Sequence, residues 1–120
     1  MIHFKDDTYR CTSEIVLKLV SGKWKLAILY ALSTRSMRFN EIQRLLPDAT
    51  QRVLTLQLRD LEQDLLVVRK VYPVIPPKVE YSLSELGFEM VPLLNILCDF
   101  GTTYLSSTFH HDSYIRETNN

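Results

Sequence analysis

A mainly α-helical chain carrying one small β-hairpin is the fold class this sequence predicts, on three observations. Apolar residues recur at helical spacing through most of the first 65 positions. Two β-branched runs, 67–72 and 79–83, flank the proline-rich stretch Pro73-Val74-Ile75-Pro76-Pro77-Lys78. A strongly apolar segment from Leu86 to Leu105 then returns to helical spacing.

Each element has its own signal. Ile15, Val16, Leu19 and Val20 make a first helix, with Thr12 or Ser13 as its cap and Ser21-Gly22 as its end. A second helix starts near Lys23 and carries Trp24, Leu26, Ala27, Ile28, Leu29, Ala31 and Leu32. It is apolar on most sides, so it is the expected central helix, with Trp24 in the core and Lys23 and Lys25 on the surface. Ser33 to Ser36 is a polar turn. In Arg38-Phe39-Asn40-Glu41-Ile42-Gln43, Asn40 and Gln43 have capping-box spacing, and Ile42, Leu45 and Leu46 form the apolar stripe of a third helix. Pro47 ends it, and Thr50 caps a fourth helix, from Gln51 to about Asp64, with Leu54, Leu58, Leu61 and Leu65 on one stripe. Two short helices across a tight turn make a helix-turn-helix. The strands 67–72 and 79–83 follow directly, and three prolines keep helix out of the loop between them. A hairpin after a helix-turn-helix is a winged helix. Ser84 caps a last helix, which Pro92 is expected to kink.

Composition bounds the answer. The chain has 120 residues, 46% of them apolar, which is one domain's worth with a real core, so disorder is excluded for most of it. A single domain over 1–120 is expected, ordered from about 11 to 105, with a flexible tail at 109–120. No apolar run approaches the roughly 18 residues of a membrane span. Met1 to Arg10 is polar, so no secretory signal is expected, and the predicted location is the cytoplasm. Two cysteines, Cys11 and Cys98, make neither a disulfide framework nor a four-ligand zinc site.

The formal net charge is zero, which excludes a uniformly basic binder, but the charges are not mixed. Residues 18–59 carry eight Lys or Arg against two carboxylates, and residues 60–120 carry four against nine. Such segregation points to an anionic partner for one face. With Leu54 at zero and about 100° per residue, Leu58, Leu61 and Leu65 fall on the core side of the fourth helix. Arg52, Thr55, Leu56 and Arg59 fall on the outer side, with Gln51 at the leading end. Arginine grips guanine O6 and N7 with two bonds, glutamine suits adenine, and a threonine or leucine methyl suits thymine. Gln51, Arg52 and Thr55 are therefore the expected base contacts of double-stranded DNA, and Arg59, if it does not pair with Glu62, meets phosphate. Lys78 at the end of the wing loop, and Arg38 and Asn40 at the start of the third helix, are further candidates for phosphate.

These residues also resemble a known family. Cys11, Gly22-Lys23-Trp24, Arg38-Phe39-Asn40-Glu41-Ile42, Leu54-Thr55-Leu56-Gln57-Leu58-Arg59-Asp60-Leu61-Glu62 and Pro76-Pro77-Lys78-Val79-Glu80-Tyr81-Ser82-Leu83-Ser84-Glu85-Leu86-Gly87 are similar to the bacterial, MarR-like HxlR-type transcriptional regulators. The resemblance covers roughly residues 11–105, and its last stretch is the most specific. It implies a winged-helix homodimer on palindromic operator DNA, joined through its terminal helices and without enzymatic activity. Ile15, Leu19, Leu93, Leu97, Phe100 and Tyr104 are the interface residues this chain offers. The sequence departs from the family at Thr12, where proline is frequent, and at Phe100-Gly101, where tryptophan is.

Some relatives of this type sense oxidants or electrophiles through a cysteine at the position of Cys11. Here Cys11 precedes a helix and adjoins Arg10, both of which lower a thiol pKa. A buried structural thiol is the competing reading of Cys11, and Cys98, between Leu97 and Phe100, reads as a small core residue. His110-His111 lacks partners at ligand spacing, so no metal and no cofactor is expected. No phosphate loop, catalytic triad set or His-Glu-x-x-His is present, and an enzyme is the least supported class. A winged-helix module for an acidic protein, or a sensor of an unidentified small-molecule effector, remain the alternatives to a DNA-binding regulator.

Overall fold

The computed structural model describes residues 1–108. The chain divides into two compact units, residues 1–88 and the segment from Glu89 onward.

The first unit opens with a hairpin that the sequence pattern does not announce. β1 (Ile2–Phe4) and β2 (Asp7–Tyr9) pair antiparallel, Ile2 opposite Tyr9. The turn residues Lys5 and Asp6 both have positive φ, 48° and 57°, as a two-residue hairpin turn of the favoured twist requires. Three-residue strands are too short to show alternation, and Lys-Asp is not a usual pair for this turn, so neither signal is present. Lys5 Nζ reaches Asp64 at 2.6 Å, and the Asp64 side chain is almost fully buried.

α1 (Thr12–Leu19) is capped by Cys11, not by Thr12 or Ser13. The extended backbone of Cys11 (φ −133°, ψ 142°) turns its carbonyl to accept from the Glu14 N–H at 3.0 Å, which leaves Thr12 and Ser13 inside the first turn. α2 (Lys25–Thr34) begins two residues later than the spacing predicts. Gly22, at φ +145°, makes the bend before it, and a side chain there would crowd Lys25 and Gln57. Ile28, Leu29 and Leu32 are buried, so α2 is the central helix as expected, while Trp24 is only half-buried.

α3 (Phe39–Leu45) starts one residue before Asn40. Its cap is Arg38, whose N–H donates to Glu41 Oε1 at 3.0 Å. Only this half of a capping box forms, because a guanidinium has no acceptor to return the bond. The Asn40–Gln43 box is therefore a correction: Gln43 instead donates to the Ala49 carbonyl at 2.6 Å and closes the turn between helices. Ile42 is buried, but Leu45 is exposed, so the stripe is narrower than predicted.

α4 (Gln51–Gln63) is capped as predicted, with Thr50 Oγ1 accepting from the Val53 N–H at 3.1 Å. Leu54, Leu58 and Leu61 are buried completely, each contributing about 1.5–3 kcal/mol of transfer free energy. Leu65 is not on that stripe. It leaves the helix with φ +67° and is exposed, and this left-handed step aims Leu66 and Val67 into the core instead.

β3 (Val67–Tyr72) and β4 (Lys78–Leu83) form the wing, antiparallel and in register from Val67 opposite Leu83 to Tyr72 opposite Lys78. Met37 exchanges both backbone bonds with Tyr81, at 2.9 and 2.7 Å, and ties the entry of α3 to the wing. Ser84 caps α5 (Glu85–Glu89), accepting from the Gly87 N–H and donating to the Leu65 carbonyl. Gly87 is required here, since a Cβ would run into the Leu66 carbonyl oxygen. The order of helices and strands is that of a winged helix.

The second unit is built on α6 (Val91–Ser107). The last helix is thus two helices, and the break falls at Met90. Pro92 sits in the first turn of α6, where a missing N–H is no loss, and does not kink its middle. Leu94 is buried, but every residue from Asn95 to Ser107 is exposed. Cys98 is among them, which corrects its reading as a core thiol: apolar neighbours in sequence do not bury a helix face that no side chain of the described residues covers.

Candidate nucleic-acid interface

Two surfaces of the first unit gather the predicted DNA-facing residues. On α4, Gln51, Arg52, Thr55, Leu56 and Arg59 line one open depression. All but the half-buried Thr55 are exposed, and Leu56 stands 48% exposed amid these polar neighbours. The Thr55 hydroxyl donates to the Gln51 carbonyl at 2.8 Å. Among the described residues neither Arg52 nor Arg59 has an ion-pair partner within 4 Å, so the Glu62 pairing of Arg59 does not form and both guanidinium groups are free for an anion.

The second surface is a groove between α3 and the wing, lined by Arg35, Ser36, Arg38, Asn40, Glu41, Arg44, Lys78 and Glu80. It brings Arg38, Asn40 and Lys78 together from two elements and adds Arg35 and Arg44, which sequence reasoning leaves out although both belong to the basic stretch. The two carboxylates are engaged. Glu41 takes Arg35 at 2.7 Å, and Glu80 takes Lys78 at 3.1 Å. The Arg38 N–H and then the Arg35 side chain hold Glu41 below the usual carboxylate range. Glu80 is held down first by the Lys78 ammonium and then by the Tyr72 hydroxyl. The groove keeps an excess of two positive charges.

α4 is anchored from behind by groups that a linear reading could not pair. The Trp24 N–H donates to Gln57 Oε1 at 2.9 Å. Lys25, expected on the surface, is buried, and its ammonium lies 3.2 Å from Asp60 of α4. Lys23 is exposed and stacks over the Trp24 ring at 5.1 Å. The one sequence signal for this anchor is the spacing of Gln57 and Asp60, three apart on one flank of α4.

Cys11 is exposed. Its thiol is lowered below the ordinary value by the Ser13 hydroxyl, 3.1 Å from Sγ, then by the Ser13 N–H. Local hydrogen bonding at the helix cap thus takes the part that the sequence assigns to Arg10. The expected interface residues are not all alike: Ile15 and Leu19 on α1 and Leu93 on α6 are half-buried, whereas Leu97, Phe100 and Tyr104 are 45%, 67% and 58% exposed. His110 and His111 lie outside the described residues, as does the stretch expected to be a flexible tail. Among the described residues no three metal-ligating side chains cluster, and no helix is long and apolar enough to cross a membrane.

Comparison with known proteins places the chain. The family model for the HxlR-like helix-turn-helix matches residues 19–109. An uncharacterized HTH-type transcriptional regulator of Methanothermobacter thermautotrophicus is 46% identical over 99 residues, covering 82% of this chain and 76% of that one. The uncharacterized HTH-type transcriptional regulator YdeP of Bacillus subtilis is 48% identical over 99 residues, covering 82% and 77%. Among solved structures, the redox regulator HypR in its reduced form superposes with a TM-score of 0.75 at 44% identity, covering 78% of this chain and 92% of that one.

Proposed function

Because this chain belongs to the HxlR-like helix-turn-helix family of transcriptional regulators, a non-enzymatic family, we propose that it is a homodimer reading a palindromic operator with α4 and answering to a thiol-reactive signal at Cys11. One observation carries the DNA reading: the five side chains Gln51, Arg52, Thr55, Leu56 and Arg59 line a single open surface in which neither arginine has an ion-pair partner among the described residues. An exposed leucine between two free arginines suits a duplex groove, where a methyl meets thymine and guanidinium groups meet guanine or phosphate. Gln51, Arg52 and Thr55 at the leading end of α4 read bases, while Arg59 and the groove residues Arg38, Asn40 and Lys78 hold backbone phosphates.

Dimerisation is supported by α6. Leu93, Leu97, Phe100 and Tyr104 are spaced four, three and four apart, the seam of a helix pair, and three of the four are exposed in the single chain. A two-fold pair sets two recognition helices about 34 Å apart, one turn of DNA.

The thiol reading rests on three facts. Cys11 is exposed, its thiolate is favoured by the Ser13 hydrogen bonds, and HypR, at 44% identity, is a redox regulator. The Sγ thiolate adds to the β-carbon of a quinone, which takes a proton to become the hydroquinone thioether. With a peroxide, Sγ attacks one oxygen, the O–O bond breaks to release hydroxide or alkoxide, and a sulfenic acid remains.

Duplexes enriched from a random pool test the DNA reading. Arg52→Ala costs about 1–3 kcal/mol per half-site and relaxes sequence preference. Lys78→Ala weakens all sequences alike and flattens the salt slope by about one unit for each phosphate it no longer holds. If both variants lose specific and non-specific binding equally, the division between base reading and phosphate holding is wrong.

A further inference from the structure

α4 has a third side besides its core stripe and its DNA-facing stripe. With Leu54 at zero and about 100° per residue, Arg52, Thr55, Leu56 and Arg59 fall between about 100° and 200°, while Gln57, Asp60 and Asp64 fall between about 240° and 300°. Each of these last three holds a partner from the start of the chain. Gln57 takes the Trp24 N–H at 2.9 Å, Asp60 the Lys25 ammonium at 3.2 Å, and Asp64 the Lys5 ammonium at 2.6 Å.

The charges at this end of α4 run against its dipole. A helix C-terminus favours cations. α4 has no basic residue in its last turn and carries Asp60 and Glu62 there, with Asp64 as its cap. The Asp64 side chain is only 6% exposed, so its charge is balanced by Lys5 more than by water. Lys5 comes from the turn of the β1–β2 hairpin, where its φ of 48° is a conformation that lysine rarely takes. Its ammonium also lies 5.5 Å from the Phe4 ring, and that ring is 6.4 Å from the Tyr9 ring on the opposite strand. A buried carboxylate at the unfavourable end of a helix and a lysine in a left-handed turn both oppose folding, and one contact offsets them.

We propose that the β1–β2 hairpin braces the recognition helix, with Lys5 and Asp64 as positioning residues for base reading that touch no DNA themselves. This rests on the reading of α4 as the helix that enters a DNA groove. Apolar ridges tolerate crossing angles that differ by about 15–20°. Hydrogen bonds to base edges tolerate less, since their N···O distances lie within about 2.7–3.2 Å. Along the axis, at about 1.5 Å per residue, Asp64 is about 10 Å on one side of Gln57 and Arg52 about 7.5 Å on the other. With Gln57 as the pivot, a shift of about 1 Å at Asp64 moves Arg52 by about 0.7 Å, enough to break a base contact. Phosphate contacts made through long, exposed side chains follow such a shift, so the brace acts on sequence preference more than on affinity for DNA in general.

The test uses the full chain, a duplex enriched from a random pool and a scrambled duplex of the same length, at a temperature where thermal unfolding shows each variant folded. Lys5→Met, at a half-exposed surface position, is expected to weaken binding to the enriched duplex about tenfold. Its binding to the scrambled duplex and its salt slope are expected to stay as in the unaltered protein. Asp64→Asn breaks the same contact and should lose as much, and the double variant no more than either single one. The brace is overturned if Lys5→Met binds the enriched duplex as tightly as the unaltered protein. It is overturned too if Lys5→Met weakens both duplexes alike and flattens the salt slope, which would make Lys5 a phosphate contact. Losses that multiply in the double variant also overturn it, since the two residues would then act separately. A pool from which the unaltered protein enriches no duplex overturns the DNA reading itself, a result distinct from these.

Discussion

Removing Asp60 is expected to destabilise the protein more than removing the lysine it pairs with. The Lys25 side chain is 9% exposed, and its ion-pair partner is Asp60, 3.2 Å away and 52% exposed. Taking away one member of a fully buried pair costs about 3–5 kcal/mol, because the remaining charge is left dry. Water reaches Asp60, so part of that cost is recovered, and Asp60→Ala should lose about 1–3 kcal/mol. Lys25→Met keeps most of the buried stem and removes the charge, leaving Asp60 half in water, and should lose less than about 1 kcal/mol. At about 4 °C per kcal/mol for a chain of this size, Asp60→Ala lowers Tm by roughly 4–12 °C. The double variant should resemble Lys25→Met alone, since no unpaired ammonium remains. Thermal and urea unfolding of the three variants measure this. Equal losses for Asp60→Ala and Lys25→Met would refute the reasoning and mean that the pair acts through packing alone.

Four further outcomes are expected. Alkylation of Cys11 should titrate with a midpoint below the ordinary thiol value, and Ser13→Ala should raise it; peptide mass spectrometry against pH reads both. Phe100→Asp should leave a monomer in sedimentation equilibrium, and an unaltered protein that is itself monomeric at micromolar concentration sinks the α6 seam. Glu41 has its carboxylate pKa depressed in the fold, so its contribution is present above an unfolded value of about 4.3 and lost as pH falls through the folded value. The stability gap between the unaltered protein and Glu41→Gln should therefore be full at neutral pH and close in acid. Leu58→Ala, at a completely buried position of α4, should cost about 2–5 kcal/mol in urea unfolding.

What the sequence determined by itself is local. The Leu54, Leu58 and Leu61 stripe defines which side of α4 is buried, and by subtraction which side carries Arg52, Thr55, Leu56 and Arg59. Periodicity and caps suffice there because helix geometry is the same in every protein. The wing was legible for the same reason, as two β-branched runs around prolines, and so was Thr50 as a cap. Tertiary structure decided what depends on distant partners. It buried Lys25 against Asp60, thirty-five positions away, and gave the Trp24 N–H to Gln57. It brought Arg35 and Arg44 to the groove with Lys78, and it engaged Glu41 in the cap of α3, so that Asn40 was not needed there. It also left Leu65 and Cys98 in water, though their apolar neighbours argued for burial. A side chain's neighbours along the chain set its helix face, but only the elements packed on that face decide whether water reaches it.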